Sequence, residues 1–130
     1  MLDTNICIHM IKYHPVSLRE KLADVQVGEI AISGIVSAEL WYGVACSQRK
    51  KGNEAALKDF LQYVEILDWP KGAAPLYGRI RAELRSGGTP IGAMDLLIAI
   101  HALFLHKVLI TNNQNEFERI PGLKVENWVS

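Results

Sequence analysis

Short isoleucine- and valine-rich segments alternate with longer amphipathic ones along the whole chain. Residues 29–33 (EIAIS), 64–69 (VEILDW), 108–111 (VLIT) and 123–128 are predicted as strands, after a truncated first strand at Met1-Leu2. Residues 6–12, 17–24, 53–63, 74–85 and 93–105 are predicted as helices, with another opened by Ser33 or Ser37 and a helical turn at 115–119. Within them Val36, Leu40 and Val44 fall on one helical face, as do Leu76, Ile80 and Leu84. Strands that alternate with helices are joined by right-handed crossovers into a parallel sheet. The expected fold is therefore α/β, a three-layer α/β/α domain around a twisted, mainly parallel sheet, with residues 1–130 as one domain. In such folds ligands bind beyond the carboxyl ends of the strands, where strand order reverses.

Composition narrows the function. With 49% hydrophobic residues and 14 basic against 14 acidic side chains, the chain is not disordered, and its overall charge does not attract nucleic acid. Any nucleic-acid role needs local charge or a bound cation. The longest apolar stretch, residues 91–105, contains Asp95 and His101, so a membrane span is not expected. No signal peptide is read at Met1-Leu2-Asp3, and the expected compartment is the cytoplasm. Cys7 and Cys46 are too few for a disulfide framework and are expected to be reduced and mostly buried.

Acidic side chains gather where the fold would bring ligands. Asp3-Thr4-Asn5 follows the first strand, and Thr111-Asn112-Asn113 ends the fourth. Glu39 lies early in a helix that follows a strand, among Ile35, Val36, Leu40 and Trp41. Asp95 opens the most apolar helix, and Glu116 follows the fourth strand by a few residues. Each acid alone has a plain structural explanation, since an acid in a first helical turn is favoured by about 0.3–1 kcal/mol. Four at one rim are harder to explain that way. A pair of unit charges at 4 Å repels by roughly 4 kcal/mol at an effective dielectric near 20. No basic residue stands beside Asp3, Glu39 or Asp95 in sequence. A hard divalent cation, Mg²⁺ or Mn²⁺, would relieve the crowding, and such a site suits a phosphodiester.

These residues carry a resemblance. Asp3-Thr4-Asn5, Ser37-Ala38-Glu39-Leu40, the run from Arg79 to Leu84 through Pro90-Ile91-Gly92-Ala93-Met94-Asp95, and Thr111-Asn112-Asn113 with Glu116-Phe117 resemble the PIN domain. The match is best to the VapC toxins of type II toxin–antitoxin pairs, and it spans nearly the whole chain in order. The resemblance implies an Mg²⁺- or Mn²⁺-dependent endoribonuclease on a small α/β sandwich, acting on structured RNA, often tRNA. It further implies a homodimer and inhibition by a cognate VapB-type antitoxin. It places Asp3, Glu39 and Asp95 as metal-ligating acids. Glu116 stands at a fourth position commonly held by Asp. Thr4 and Asn5 are expected to bond the Asp3 region, and Asn112 or Asn113 to orient water.

Among the remaining residues, Arg81 and Arg85 share a helical face and are candidates for contact with RNA phosphate or antitoxin acids, against surface pairing with Glu83 or solvent. His9, His14, His101 and His106 lack the spacing of a zinc site and are expected in core or surface roles. Two other functions compete. A receiver or dehalogenase-like phosphatase needs a second acid near Asp3, where Asn5 stands, or a lysine after the last strand. A binding module that has lost catalysis would keep the fold, although all four acidic positions hold an acid.

Overall fold

The computed structural model describes residues 1–13, 20–21, 25 and 29–129. Its elements are helix α1 (Thr4–Tyr13), strand β1 (Ala31–Ser33), helices α2 (Gly34–Cys46) and α3 (Lys50–Leu61), strand β2 (Glu65–Leu67), helices α4 (Ala74–Ser86) and α5 (Ala93–Phe104), strand β3 (Leu109–Ile110), helix α6 (Gln114–Phe117) and strand β4 (Val125–Glu126). A short 3₁₀ turn, Lys71–Ala73, leads into α4. The helix expected at 17–24 lies mostly outside the described residues.

The strands form two parallel pairs, β1 with β2 and β3 with β4. The amino-terminal segment joins them. Leu2 N–H donates to Ala31 and Asp3 N–H to Ile110, while Ile110 N–H returns to Met1. The order across the sheet is thus β2, β1, Met1–Asp3, β3, β4, with β1 parallel to β2, Leu2 parallel to Ile110 and β3 parallel to β4. The chain leaves its first segment toward β1 on one side and reaches β3 on the other. The reversal point therefore lies where Asp3 and Thr111 are neighbours.

The central strands are apolar on both faces, as a sheet covered by helices requires. Leu2, Ala31, Ile32, Leu109 and Ile110 are all buried. At the edge, Ile66 of β2 is 44% exposed. Helices α1, α2 and α3 pack together, and α4 packs on α5. Helix α5 is apolar almost all round, with Leu96, Ile98, Ala99, Ile100, His101 and Ala102 buried, which makes it the central helix. Gly88, at a positive φ of 74°, turns the chain out of α4 toward the loop that starts α5.

Element boundaries depart from the sequence reading in consistent ways. Every strand is shorter than predicted, because only the residues with ladder partners count as strand. Helix α3 begins at Lys50 rather than Asn53 and runs through Gly52. Ser33, not Ser37, opens α2, its hydroxyl accepting from Ile35 N–H at 3.1 Å. Cys7 is buried, but Cys46 is exposed, because it falls at the solvent side of the last turn of α2.

Candidate metal centre

Asp3 is built into the fold more firmly than an ordinary surface acid. It ends the first strand segment and caps α1, its Oδ1 accepting from Ile6 N–H at 3.0 Å. Its other oxygen accepts from the hydroxyl of Thr111, at the end of β3. Thr111 in turn accepts from Asn113 N–H at 3.0 Å. One carboxylate therefore ties the two strands on either side of the reversal point. Asp3 is only 5% exposed. Burial pushes its carboxyl above the ordinary value, and the bonds from Thr111 and Ile6 act the other way.

Glu39 stands half-buried in the second turn of α2. Its Oε1 accepts from the hydroxyl of Thr4 at 2.6 Å. Thr4 was expected to serve the Asp3 region, but it reaches across to α2, because it points from the first turn of α1 toward its packed neighbour. Asn5 is exposed.

Among the described residues, Asp95 has no comparable anchor. It lies in the first turn of α5, whose start has no side-chain cap. Burial pushes its carboxyl up to about 6, and Glu116, Glu39 and Asp3 push it in the same direction. Among these neighbours Glu116 acts most strongly. Glu116 itself accepts from the side-chain amide of Asn113. Asn112 is exposed at the strand end.

Four acids from four parts of the chain thus lie in one electrostatic field. They do not make a finished cage: among the described residues, no three His, Cys, Asp or Glu side chains stand close enough together to hold an ion as they are. Mg²⁺ does not require such a cage. It takes one or two carboxylates and keeps water in its remaining positions. The donors are all hard oxygens, which suits Mg²⁺ or Mn²⁺ and not zinc. The residues present therefore fit a hydrated dication.

Arg81 and Arg85 are exposed on α4. Arg81 does not pair with Glu83. It donates to the Tyr77 hydroxyl at 2.9 Å and lies over that ring, while Arg79 takes Glu83 at 3.5 Å. Tyr77 meets Trp69 edge-on, and the Trp69 indole N–H donates to the Leu97 carbonyl of α5 at 2.9 Å. Both arginines line an open groove that ends at Pro90, Ile91 and Leu96.

Comparison with known proteins finds relatives that span nearly the whole chain. Residues 1–123 match the PIN domain family model. The chain is 47% identical over 129 residues to Ribonuclease VapC2 of Rickettsia felis, covering 98% of this chain and 96% of that one. It is 43% identical over 128 residues to the tRNA(fMet)-specific endonuclease VapC of Shigella flexneri, covering 98% and 96%. Among solved structures it superposes on the DNA-bound VapBC of Salmonella typhimurium with a TM-score of 0.93 at 43% identity, covering 99% of this chain and 97% of that one. The promoter-bound VapBC2 of Rickettsia felis gives 0.91 at 47% identity, covering 99% and 98%.

Proposed function

Because the chain belongs to the PIN domain family and to the VapC ribonucleases within it, we propose that it is a Mg²⁺- or Mn²⁺-dependent endoribonuclease whose site is formed by Asp3, Glu39, Asp95 and Glu116. The observation that carries this reading is the state of Asp95: a half-buried carboxyl whose strongest charged neighbours are three other carboxylates. A bound dication there supplies positive charge to a phosphodiester and acidifies water for its attack.

The protein's own residues divide the remaining work. Thr111 and Ile6 N–H hold Asp3 in one orientation, and Thr4 holds Glu39. Asn113 steers Glu116, whose longer arm suits contact through water. Asp95 is the acid free to move toward a ligand. Arg81 and Arg85 hold the phosphate backbone of the RNA outside the acidic rim, with Arg81 fixed in advance by Tyr77.

We further propose that the substrate is tRNA, as the name of the Shigella relative says of that protein. The chain acts in the cytoplasm as one domain, in a homodimer, and is inhibited by a VapB-type antitoxin. An apolar cleft of about 180 Å³ between α1, α2 and α3 supports the last point: Ile8, Ile11, Leu40, Val44 and Leu57 line it, and Glu39 stands among them. A partner segment seated there reaches the acids. Among the described residues, no helix is long and apolar enough to cross a membrane.

The test is RNA cleavage by purified protein with Mn²⁺, with a chelator, and by Asp95→Ala prepared identically. The reading requires cleavage only in the first. Equal cleavage by all three overturns it.

A further inference from the structure

Behind the acids, one buried polar contact joins the two helices that carry Glu39 and Asp95. Ser33 ends β1 and caps α2; His101 lies in the middle of α5. Both are fully buried at 0% exposure, and His101 Nδ1 stands 2.7 Å from Ser33 Oγ. Ser33 Oγ already accepts from Ile35 N–H at 3.1 Å. A hydroxyl donates one proton and accepts at two lone pairs, so Ser33 can hold the ring nitrogen while it caps α2. Among the described residues, the other ring nitrogen, Nε2, has no hydrogen-bond partner. A buried polar atom left alone costs free energy, so packing alone would favour leucine or methionine here. The imidazole is retained at a cost, and what it gains is the bond to Ser33.

The bond has a geometric consequence. Ser33 precedes Glu39 by six residues, and His101 follows Asp95 by six. Each partner thus sits less than two helical turns from one acid. Fixing Ser33 against His101 fixes the register of α2 on α5 and so the gap between the two carboxyls. Apolar contacts between these helices, being non-directional, define that register less sharply. Small errors matter here, since hard cations bind their ligands within a narrow range of distance.

We propose that His101 is a positioning residue. By its hydrogen bond to the Ser33 hydroxyl, it sets the separation of Glu39 and Asp95 and so the affinity of the site for a divalent cation. The inference rests on the reading of the acids as a cation site.

The test is Mn²⁺ titration of the folded protein without RNA, followed by electron paramagnetic resonance of free Mn²⁺. Ser33→Ala removes the hydroxyl, and with it both the bond to His101 and the cap of α2, whereas His101→Leu removes the bond and leaves the cap. His101→Asn keeps a hydrogen-bonding atom close to the position of Nδ1, whereas His101→Gln carries it further out. Ser33→Ala and His101→Leu are expected to weaken Mn²⁺ binding about tenfold, the low end of what loss of an orienting partner costs a metal site. His101→Asn is expected to stay within about threefold of the parent, and His101→Gln to resemble His101→Leu. If His101→Leu does not fold, Ser33→Ala decides alone. Folded Ser33→Ala protein that binds Mn²⁺ as tightly as the parent overturns the inference, because a merely structural contact lowers the melting temperature without moving affinity. A parent that binds no Mn²⁺ overturns the cation reading itself, and this inference with it.

Discussion

Asp3 and Asp95, two acids of the proposed site, are held in opposite ways. Asp3 closes a strand and caps a helix, with a donor on each oxygen. Asp95 opens a helix with no side-chain cap, and its strongest neighbours are other acids. Burial raises both carboxyls. In Asp3, hydrogen bonds from Thr111 and Ile6 oppose that rise. In Asp95, Glu116, Glu39 and Asp3 add to it. The first acid belongs to the scaffold as much as to the site. The second contributes little to the fold and carries most of the electrostatic tension. A site of this kind can be rigid at one edge and adjustable at the other.

The sharpest way to separate the two is substitution. Asp95→Asn is expected to reduce RNA cleavage at least about 100-fold, comparable to loss of a main electrostatic group in other enzymes, while the metal-free protein melts no lower than the parent. Asp3→Asn is expected to lose cleavage too, but with lower stability. Its new amide would face the Thr111 hydroxyl donor, and a buried mismatch of that kind costs about 1–3 kcal/mol. Cleavage assays paired with thermal melts check both. Equal stability changes for the two would break the contrast.

Thr111→Val comes next. It removes the donor to Asp3 and the acceptor for Asn113 N–H. A loss of about 1–3 kcal/mol is expected in denaturant unfolding, together with a further upward shift of the Asp3 carboxyl, visible by NMR titration. A neutral Thr111→Val would mean that Asp3 is not anchored as described.

A smaller effect is the pH dependence of metal-free stability. The Asp95 carboxyl is raised from 3.8 to about 6 in the folded protein. Between those values the folded state holds a proton that the unfolded state has released, so this group makes stability fall as pH rises from about 4 to about 6. Its favourable share is complete below the lower value and gone above the upper. Asp95→Asn is expected to flatten that part of the profile, and Asp3→Asn to reduce its Asp95 component only slightly, since burial and Glu116 act on Asp95 more strongly than Asp3 does. Melting temperatures across this range, in chelator, decide the point.

Glu116→Gln is expected to give the mildest change. It removes the strongest charge acting on Asp95, so that carboxyl should move back toward 3.8. Cleavage should drop by about tenfold or less, in keeping with a ligand that acts through water. A loss as large as that of Asp95→Asn would make Glu116 an equal member of the site.

Much of this layout was legible in the sequence, for a physical reason. Strands buried on both faces are short apolar runs, and a polar cluster just after such a run must lie at its carboxyl end. Asp3 and Thr111 could be placed from that rule alone. Chain order then put Asp95 and Glu39 at helix starts on the same side. The missing information was tertiary. Nothing local to Thr4 says that it bonds Glu39 rather than its neighbour Asp3. His101 reads as one more residue of an apolar helix until Ser33, 68 positions away, is brought beside it. Arg81 could be placed on a face with Arg85, but its Tyr77 partner, one turn earlier, takes it from Glu83. Strand ends and the start of α3 depart from the sequence pattern because ladder partners and helix packing, not composition, set those limits.

The central claim is that Asp95 is crowded by like charge and relieved by a dication. The direct measurement is the melting temperature of the parent and of Asp95→Asn, each in chelator and each with Mn²⁺. The account predicts that Asp95→Asn melts at or above the parent in chelator and gains little from Mn²⁺, while the parent gains clearly. An Asp95→Asn protein that melts lower in chelator yet gains as much from Mn²⁺ as the parent would contradict it.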